Sequence, residues 1–289
     1  MIEQSELILN SDGSIFHLHL KPENISDQIL LVGDQARVDT ISSVFEKIDF
    51  TTQNREFKTV TGWYNSKKIT VISTGIGTDN IDIVLNELDA LVNIDFIKRE
   101  IKPEKKSLNI VRIGTSGGLQ PDLPVNSFVV SRKSIGFDGM LAFYANREDY
   151  CDIPFEKTFM QFTDWNPSLP TPYVVDASSR LLSKFTDETF KIGVTISAPG
   201  FYGPQGRVLR LGLAKPELNK LIEDFNFDNL KITNFEMESS AIYGLSKMLG
   251  HHALTICLII ANRVTRQANE NYRNEMKKLI KKVLDSLTN

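Results

Sequence analysis

The sequence predicts a layered α/β domain with a mixed β-sheet, because short apolar strand-like segments alternate with amphipathic helical segments and are interrupted by a hairpin. The chain has 289 residues, of which 41% are hydrophobic, and its formal net charge is −3. A chain of this length can bury roughly three quarters of its unfolded surface around one core. We therefore expect a single domain over residues 1–289.

Strands are predicted where apolar and β-branched residues form short segments bounded by turn residues. QILLVGD (residues 28–34) runs into a turn, and residues 57–75 read as a hairpin around NSKK. The remaining strands are LNIVRIG (108–114), NSFVVSRKSIG (126–136), KIGVTIS (191–197), LKITNF (230–235) and LTICLIIAN (254–262).

Helices are predicted from apolar residues at helical spacing. In residues 80–100 this spacing is carried by Ile81, Val84, Leu85, Leu88, Leu91 and Val92. NFEMESSAIYGL (234–245) opens a second helix, which Gly250 can end, and the last helix runs from Asn269 to about Leu287. The segment Cys151–Pro172 is rich in proline and aromatic residues, so we expect it to be irregular and to lie at the surface or a subunit contact.

Composition and charge exclude several classes of protein. The slightly acidic balance argues against nonspecific nucleic-acid binding. The sequence contains no run of about 18 apolar residues, so no membrane-spanning helix is expected. The first ten residues lack the basic region and apolar core of a signal peptide, so we expect a cytoplasmic protein. Cys151 and Cys257 form no CxxC pair and are expected to be reduced, and the histidines lack zinc spacing, so no metal site is expected.

Three strand ends carry residues suited to anions. LVGDQAR contains Gly33 and Arg37, VRIGTSGGL contains Arg112 and Thr115, and NREF contains Arg55. Glycine-rich turns expose backbone N–H groups, and arginine offers a planar fork for phosphate oxygens. Taken singly, each arginine is more simply interpreted as a salt-bridge or surface residue. Arg112 is the exception, because a charge inside a buried strand is costly unless an anion pairs with it.

FYGPQGR (201–207) combines a ring with two polar side chains. Phe201 offers a stacking face, Gln205 both donates and accepts, and Arg207 only donates. This set suits a flat heterocycle with carbonyls and an imide N–H, although an ordinary glycine–proline loop explains the segment equally well. The GxGxxG and GxxxxGK[ST] motifs are absent, which excludes the usual dinucleotide and ATP sites.

Two carboxylates flank Met237 at the start of a predicted helix. Acids in a first helical turn complement the helix dipole, and this explanation suffices for Glu236 and Glu238. Residues two apart on a helix point to different sides, so they are not a facing acid pair of the glycosidase kind. If the segment is functional, one carboxylate reaches a ligand and the other has a different role.

Taken together, the motifs resemble the uridine phosphorylases of the nucleoside phosphorylase superfamily. FHLHL, GDQAR, REF, STGIG, RIGTSGG, FYGPQGR, NFEMES and ANR occur in that family's order, from Phe16 to the final helix. FYGPQGR is typical of the pyrimidine branch, whereas RIGTSGG and EMES are typical of the wider superfamily. The resemblance implies a three-layer α/β/α sandwich with a central mixed sheet. It also implies phosphorolysis of uridine to uracil and ribose 1-phosphate.

The resemblance also implies roles for individual residues. Gly33, Arg37, Arg112 and Thr115 would hold phosphate, and Met237 and Glu238 would hold the ribose hydroxyls with Glu236 beside them. Gln205 and Arg207 would recognise uracil and stabilise the negative charge that it gains on leaving. Phe201 would pack on the nucleoside. Arg263 of ANR would support Gln205 and Arg207 or form a structural salt bridge. Arg55 and His17 would complete a neighbouring subunit's site. The implied protein is a homo-oligomer, at least a dimer, whose co-substrate is phosphate and which needs no cofactor.

The sequence departs from the family pattern at three places. Gln35 stands where the family usually has proline, and residues 96–108 are longer than in the short hexameric enzymes, so a hexamer stays open. For the monovalent cation that bacterial relatives bind between subunits, Glu56 and Ile76 match, but Asn80 replaces a serine.

Three alternatives stay open at the level of sequence. A purine nucleoside phosphorylase of this fold would carry an aspartate after the last strand, where this chain has ANR. A nucleosidase would not need Arg37, Arg55 and Arg112. A non-catalytic nucleoside-binding homologue would have a broken site, whereas every matched position is present.

Overall fold

The computed structural model describes residues 1–289, which form β-strands, α-helices and short 3₁₀ turns. The strands are β1 (Gln28–Val32), β2 (Lys47–Asn54), β3 (Phe57–Tyr64), β4 (Lys67–Ser73), β5 (Ile94–Asp95), β6 (Glu100–Ile101), β7 (Asn109–Gly118), β8 (Phe128–Gly136), β9 (Tyr173–Asp176), β10 (Phe190–Ser197), β11 (Asn226–Phe227), β12 (Leu230–Glu236), β13 (His252–Asn262) and β14 (Gln267–Ala268). The helices are α1 (Gln35–Ser42), α2 (Thr78–Asn93), α3 (Ile153–Thr163), α4 (Ser179–Leu182), α5 (Leu218–Asp224), α6 (Ser239–Leu249) and α7 (Arg273–Thr288).

The strands apart from β5 and β6 join one mixed sheet of 12 strands, as the hairpin within an alternating chain predicts. Its main order is β11-β12-β10-β8-β13-β7-β1-β4-β3-β2. β1 runs parallel to both β4 and β7, whereas β2, β3 and β4 form an antiparallel meander. β12 pairs with β10 and also with β7, through Asn234 opposite Gly118 and Phe235 opposite Gly117. The sheet therefore curls until part of it closes on itself.

Alternation along β1 separates two helical layers. Ile29 and Leu31 pack into a core with residues of α2 and α6, whereas Leu30 and Val32 pack into a core with residues of α1 and α7. Successive strand residues point to opposite faces, so helices cover both sides of the sheet. The three-layer α/β/α prediction is confirmed.

β7 carries the strand residue that matters most for the site. Ile110 belongs to the core on the α2 and α6 side, and Arg112, two residues on, points to the same face. A Cβ atom at Gly114 would overlap the guanidinium of Arg112. Glycine at this position therefore lets the Arg112 side chain lie along its own strand.

The prediction that Cys151–Pro172 is irregular is wrong, because this segment contains α3, although most of residues 164–171 are exposed as expected. Asp152 caps the helix by accepting a hydrogen bond from the backbone N–H of Phe155 at 3.1 Å, and Pro154 occupies the first turn. Phe155 and Phe159 are fully buried against Phe225 on one face. The i, i+4 spacing of these phenylalanines was the available sequence pattern.

Two predicted helix boundaries are also wrong. α2 ends at Asn93, because Asp95 accepts hydrogen bonds from the N–H groups of Ile97 and Lys98 and turns the chain into the β5–β6 hairpin. α7 begins at Arg273 rather than Asn269, because the residues just before Asn269 pair with β13 as β14.

Neither cysteine forms a disulfide, and Cys257 is buried in the sheet. Burial raises the pKa of the Cys257 thiol to about 12, which keeps it protonated at neutral pH. No α-helix of the chain has both the length and the apolar character that a bilayer span requires.

Candidate active site

One cavity of about 340 Å³ lies where the carboxyl ends of several parallel strands meet. This is the edge at which open α/β sheets usually bind ligands. The predicted residues that line it are Gly33, Arg37, Arg112, Thr115, Phe201, Gln205, Arg207, Glu236, Met237 and Glu238. The turn after β1, the middle of β7, the loop after β10 and the β12–α6 junction bring them together from distant parts of the chain.

The buried guanidinium of Arg112 lies between two carboxylates of the same chain. Its Nη1 is 3.2 Å from Glu236 Oε2, and its Nη2 donates to Glu238 Oε2. All three side chains are no more than 6% exposed. The anion that Arg112 requires is therefore supplied by the protein itself, which the sequence did not predict. Its predicted phosphate contact stays a prediction.

The two carboxylates have different surroundings, and neither lies within the helix. α6 begins only at Ser239, which corrects the predicted helix opening at Asn234. Glu236 is the last residue of β12 and accepts from the N–H groups of Glu238 and Ser239 and from the hydroxyl of Ser197. Its oxygens are thus occupied by protein donors at the start of α6.

Glu238 is held at only two points. Its Oε1 accepts from the N–H of Gly77 at 2.8 Å, and its Oε2 accepts from Arg112. Each oxygen has a second lone pair, and the residue lines the cavity. Glu238 is therefore the carboxylate that can accept further bonds from a ligand.

Charge within this cluster is unbalanced, since one guanidinium faces two acids. Burial alone would lower the pKa of Arg112, but the charges of Glu238 and Glu236 outweigh burial and raise it. Burial raises the pKa of Glu238, the charge of Arg112 lowers it, and the charge of Glu236 raises it, with a net increase. Arg112 therefore stays cationic, while Glu238 takes up a proton more readily than an exposed glutamate.

The phosphate side of the cavity contains donors at the start of α1 and along β7. Arg37 Nη2 pairs with Asp34 at 3.1 Å, so the salt-bridge interpretation holds for this residue, which nevertheless lines the cavity. Arg112 Nε and the hydroxyl of Ser116 are buried without a hydrogen-bond partner. Buried unpaired donors cost about 1–3 kcal/mol each, so this side is short of acceptors.

The opposite end of the cavity is lined by Gln205 and Arg207, and Arg263 lies behind Gln205. Gln205 Oε1 accepts from Arg207 Nη1 at 2.6 Å and from Arg263 Nη2 at 3.0 Å. Arg263 Nη1 also donates to the backbone carbonyl of Gln205, which settles that Arg263 contacts the predicted base site rather than a carboxylate. The Arg207 guanidinium lies 3.6 Å from the centre of the Phe201 ring and covers that face.

Neither Arg207 nor Arg263 has a carboxylate partner. Burial and the charge of Arg207 lower the pKa of Arg263 to about 10, and burial lowers the pKa of Arg207. Both groups stay charged at neutral pH. Two adjacent, partly buried cations without a counterion make this end of the cavity strongly attractive to negative charge.

The residues predicted to serve a neighbouring subunit lie outside the cavity of their own chain. His17 Nδ1 is 2.6 Å from Glu87, and the exposed Arg55 makes no side-chain hydrogen bond or salt bridge within the chain. Arg55 has a φ of 53°, and its carbonyl accepts from the Gln35 side chain at 2.7 Å. Gln35, where the family has proline, therefore supports the turn that presents Arg55.

The predicted cation residues meet around Gly75. A Cβ atom built there would lie 2.5 Å from Asn80 Nδ2 and 3.1 Å from Glu56 Cγ. Ile76 follows directly and lines the rim of the cavity. The three residues are close together, and cation binding stays a prediction.

Sequence reasoning missed several residues that line the cavity: Asp34, Ser116, Gly117, Phe235, Ile260 and Ala261. Asp34 and Ser116 lie within the quoted motifs, so their positions were available, and Asp34 also caps α1 through the N–H of Arg37. Gly117, Phe235 and Ala261 also lie within quoted motifs, but small and apolar residues carry no pattern that separates a cavity wall from a core.

We predict that Arg112→Met lowers the free energy of unfolding by about 3–5 kcal/mol near neutral pH, because it leaves two buried carboxylates without a cation. Burial already raises the pKa of Glu238, and the change removes the charge that lowers it, so folding takes up a proton and stability falls as pH rises above the ordinary glutamate value of 4.5. The loss should therefore be smaller near pH 5 than near pH 8 in urea titrations.

Arg132→Met is the matched control, since Arg132 is exposed on β8. It should change stability by less than about 0.5 kcal/mol. An Arg112→Met loss that matches the control, or that does not depend on pH, would contradict the pairing.

Comparison with known proteins finds nucleoside phosphorylases among the relatives of this chain. A uridine phosphorylase of Thermococcus kodakarensis is 28% identical over 256 residues, which are 89% of this chain and 80% of the relative. A guanosine phosphorylase of Halorubrum lacusprofundi is 26% identical over 250 residues, which are 86% of this chain and 83% of that protein. These relatives act on different bases.

A crystal structure of a Trypanosoma brucei nucleoside phosphorylase with uridine phosphorylase activity superposes with a TM-score of 0.86 at 29% identity. The match covers 98% of this chain and 99% of that chain. A family model described as the phosphorylase superfamily matches residues 28–288, nearly the whole chain. The chain therefore belongs to the phosphorylase superfamily.

Proposed function

We propose that this protein cleaves uridine with inorganic phosphate to give uracil and ribose 1-phosphate. The observation that carries the proposal is the pair of arginines, Arg207 and Arg263, that converge on Gln205 without a carboxylate. When the bond between ribose and uracil breaks, uracil leaves as an anion. The end of the cavity at Arg207 and Arg263 favours such an anion. Uridine phosphorylases among the relatives support the same substrate.

Phosphate would bind at the side formed by Gly33, Arg37, Arg112 and Thr115. The positive end of α1 lies there, with Asp34 capping one of its N–H groups, and Arg37 adds a positive charge beside Asp34. A bound phosphate would supply oxygen acceptors for the unpaired donors of Arg112 and Ser116. Phosphate is itself the nucleophile, so the reaction needs neither an enzyme nucleophile nor a metal.

The ribose would lie between phosphate and base, above Met237 and Glu238. Sugar hydroxyls donate, and the free lone pairs of Glu238 accept them. Met237 is half-buried at the cavity wall and offers an apolar contact to the sugar ring. Holding the sugar in line with phosphate provides the proximity contribution to the rate.

In the reaction, a phosphate oxygen forms a bond to C1′ while the bond from C1′ to N1 of uracil breaks. The electron pair of that bond goes to uracil, whose carbonyl oxygens become more negative, and the anion then takes a proton from solvent. Arg207 and Gln205 would donate to these oxygens, with Arg263 behind them. Donors fixed where charge develops are a major source of catalysis.

Purine phosphorolysis is the second candidate, because a guanosine phosphorylase is among the relatives. A purine enzyme of this fold would carry an aspartate at the end of the late strand, where this chain has ANR with Asn262. Its amide donates to the carbonyls of Gln120 and Leu123, and its oxygen accepts from Val264 and Thr265. A neutral and fully occupied side chain cannot protonate a purine, which favours the pyrimidine assignment.

We predict that uracil release from uridine requires inorganic phosphate and yields equal amounts of uracil and ribose 1-phosphate. The reason is that the donors of the phosphate side are arranged for an anion rather than for water. Release can be followed by chromatography with and without phosphate. Equal rates in phosphate-free buffer would instead identify a nucleosidase, and no release in either buffer would favour a non-catalytic binding protein.

Removing Arg207 should lower turnover more than it weakens uridine binding, because its partner charge develops mainly in the transition state. For Arg207→Ala we expect kcat to fall roughly 100- to 1,000-fold, with a smaller change in KM. Arg210→Ala is the control, since Arg210 is exposed in the same loop and does not line the cavity.

The intact protein should strongly prefer uridine over cytidine and inosine in the same assay. Cytidine has an amino group where uridine has a carbonyl, and this group would face the arginine donors. Turnover of inosine equal to that of uridine, or full turnover by Arg207→Ala, would show that the pyrimidine assignment is wrong.

Activity should also depend on assembly, because Arg55 and His17 lie outside the cavity of their own chain. Mixing and reassembling an Arg55→Ala chain with an Arg207→Ala chain should give mixed dimers with one intact site. About a quarter of wild-type activity should return if chains pair at random. Arg207→Ala mixed with Gln205→Ala is the control and should stay inactive, since both changes affect the same chain's site. No recovery in confirmed mixed dimers would contradict a shared site.

A further inference from the structure

A second cavity, of about 320 Å³, lies on the far side of the turn that carries Gln205. Its walls come mainly from apolar residues of two surface segments, around Trp165 and around Leu213. We call it the rear cavity; it is bounded by Trp165, Leu169, Pro170, Pro204, Leu213 and Leu218. Its volume lies at the lower end of the range of small-molecule sites.

The turn from Phe201 to Arg207 forms a wall shared by the two cavities. Phe201, Gln205 and Arg207 line the proposed base site. The residues between them, Gly203, Pro204 and Gly206, line the rear cavity. A molecule in the rear cavity would therefore touch the back of the same turn whose front reads the base.

The charged side chain and the indole N–H at the rear cavity are already paired within the protein. Lys215 Nζ donates to the carboxylate of Asp164 at 2.9 Å and to its backbone carbonyl, and Trp165 Nε1 donates to the carbonyl of Pro170. Asn219 Nδ2 donates to the carbonyl of Gln205 at 3.3 Å. No unpaired charge faces the cavity, so a charged ligand would lose its hydration without compensation. A small neutral apolar ring is the chemistry that fits.

Asn219 provides a direct mechanical connection between the cavities. It lines the rear cavity and bonds the carbonyl of Gln205, to which Arg263 also donates. Gly206 has a φ of 69°, and a Cβ atom there would overlap the amide of Asn219. Asn219 therefore packs so closely on Gly206 that displacing Asn219 or Pro204 would move the backbone of the turn from Phe201 to Arg207.

We propose that the rear cavity binds a small neutral apolar ring compound. Its occupation would change the positions of the Gln205 and Arg207 side chains relative to the base. The binding site stands on the cavity alone, whereas the effect on activity rests on the proposed function. Occupation would act on the catalytic turn without competing for the nucleoside.

Binding can be tested by fluorine NMR with 6-fluoroindole as the neutral ring and 4-fluorobenzoate as its charged counterpart. We expect 6-fluoroindole to bind saturably at up to about 1 mM in the presence of saturating phosphate and uracil, and 4-fluorobenzoate not to bind. Ala214→Trp places a large ring at the wall of the rear cavity and should weaken 6-fluoroindole binding at least about tenfold. Val208→Trp adds the same side chain to an exposed position that lines neither cavity, so binding should be unchanged.

Absence of saturable 6-fluoroindole binding, equal binding to Ala214→Trp, or displacement by uracil and phosphate would overturn the site. For the second half of the proposal, saturating 6-fluoroindole should change kcat or KM for uridine at least about twofold in the parent and in Val208→Trp, but not in Ala214→Trp. Unchanged kinetics with confirmed binding would overturn the coupling. A protein that binds 6-fluoroindole but does not cleave uridine would instead contradict the proposed function and leave the binding site standing.

Discussion

The ion cluster of Arg112, Glu236 and Glu238 is the interaction on which the rest of the site depends. A guanidinium in the middle of a buried strand is tolerable only with close anions, and these come from residues up to 126 positions away in sequence. The cluster connects β7 to the end of β12 and the start of α6, and through Gly77 to the start of α2. Met237 lies between the paired glutamates and is thereby held at the cavity wall.

This constraint divides the cavity into regions of different charge. Around the proposed ribose position, the charge of Arg112 is exceeded by that of two carboxylates, which suits a neutral sugar with hydroxyl donors. Around Gln205, two arginines have no counterion, which suits a base that leaves as an anion. The difference arises because Arg112 is paired with two carboxylates. Arg207 and Arg263 instead donate to amide and carbonyl oxygens and lie over the rings of Phe201 and Phe235.

Much of this architecture could be predicted from local patterns. The apolar run of β1 and the spacing of Ile81, Val84 and Leu88 in α2 follow from strand and helix periodicity, and both are present. Gly33, Phe201 and Glu236 meet in one cavity because they lie at or after the carboxyl ends of β1, β10 and β12. Arg112 and Thr115 reach the cavity from the middle of β7, which continues to Gly118 through the predicted glycine-rich turn. Local patterns could not predict that Arg112 pairs with glutamates far along the chain.

The errors have local physical causes. α3 was missed because the prolines and aromatic residues of its segment concealed the spacing of Phe155 and Phe159. The end of α2 was missed because apolar spacing continues past Asn93, where the side chain of Asp95 captures backbone N–H groups. The rear cavity was not predictable, since it exists only once the Trp165 and Leu213 segments meet behind the turn from Phe201 to Arg207.

The double pairing of β12 has a consequence for where the proposed substrate contacts lie. β12, β10, β8, β13 and β7 each pair with two others of the set, so they form a closed ring without a free edge. Arg112 and Glu236 are part of this ring, and Glu238 follows it directly, whereas the turn from Phe201 to Arg207 projects from it. The turn contributes no strand to this ring, whereas each ring strand is hydrogen-bonded to two others. The proposed ribose contacts therefore lie on or next to the ring, whereas the proposed base contacts of Gln205 and Arg207 lie on a turn outside it.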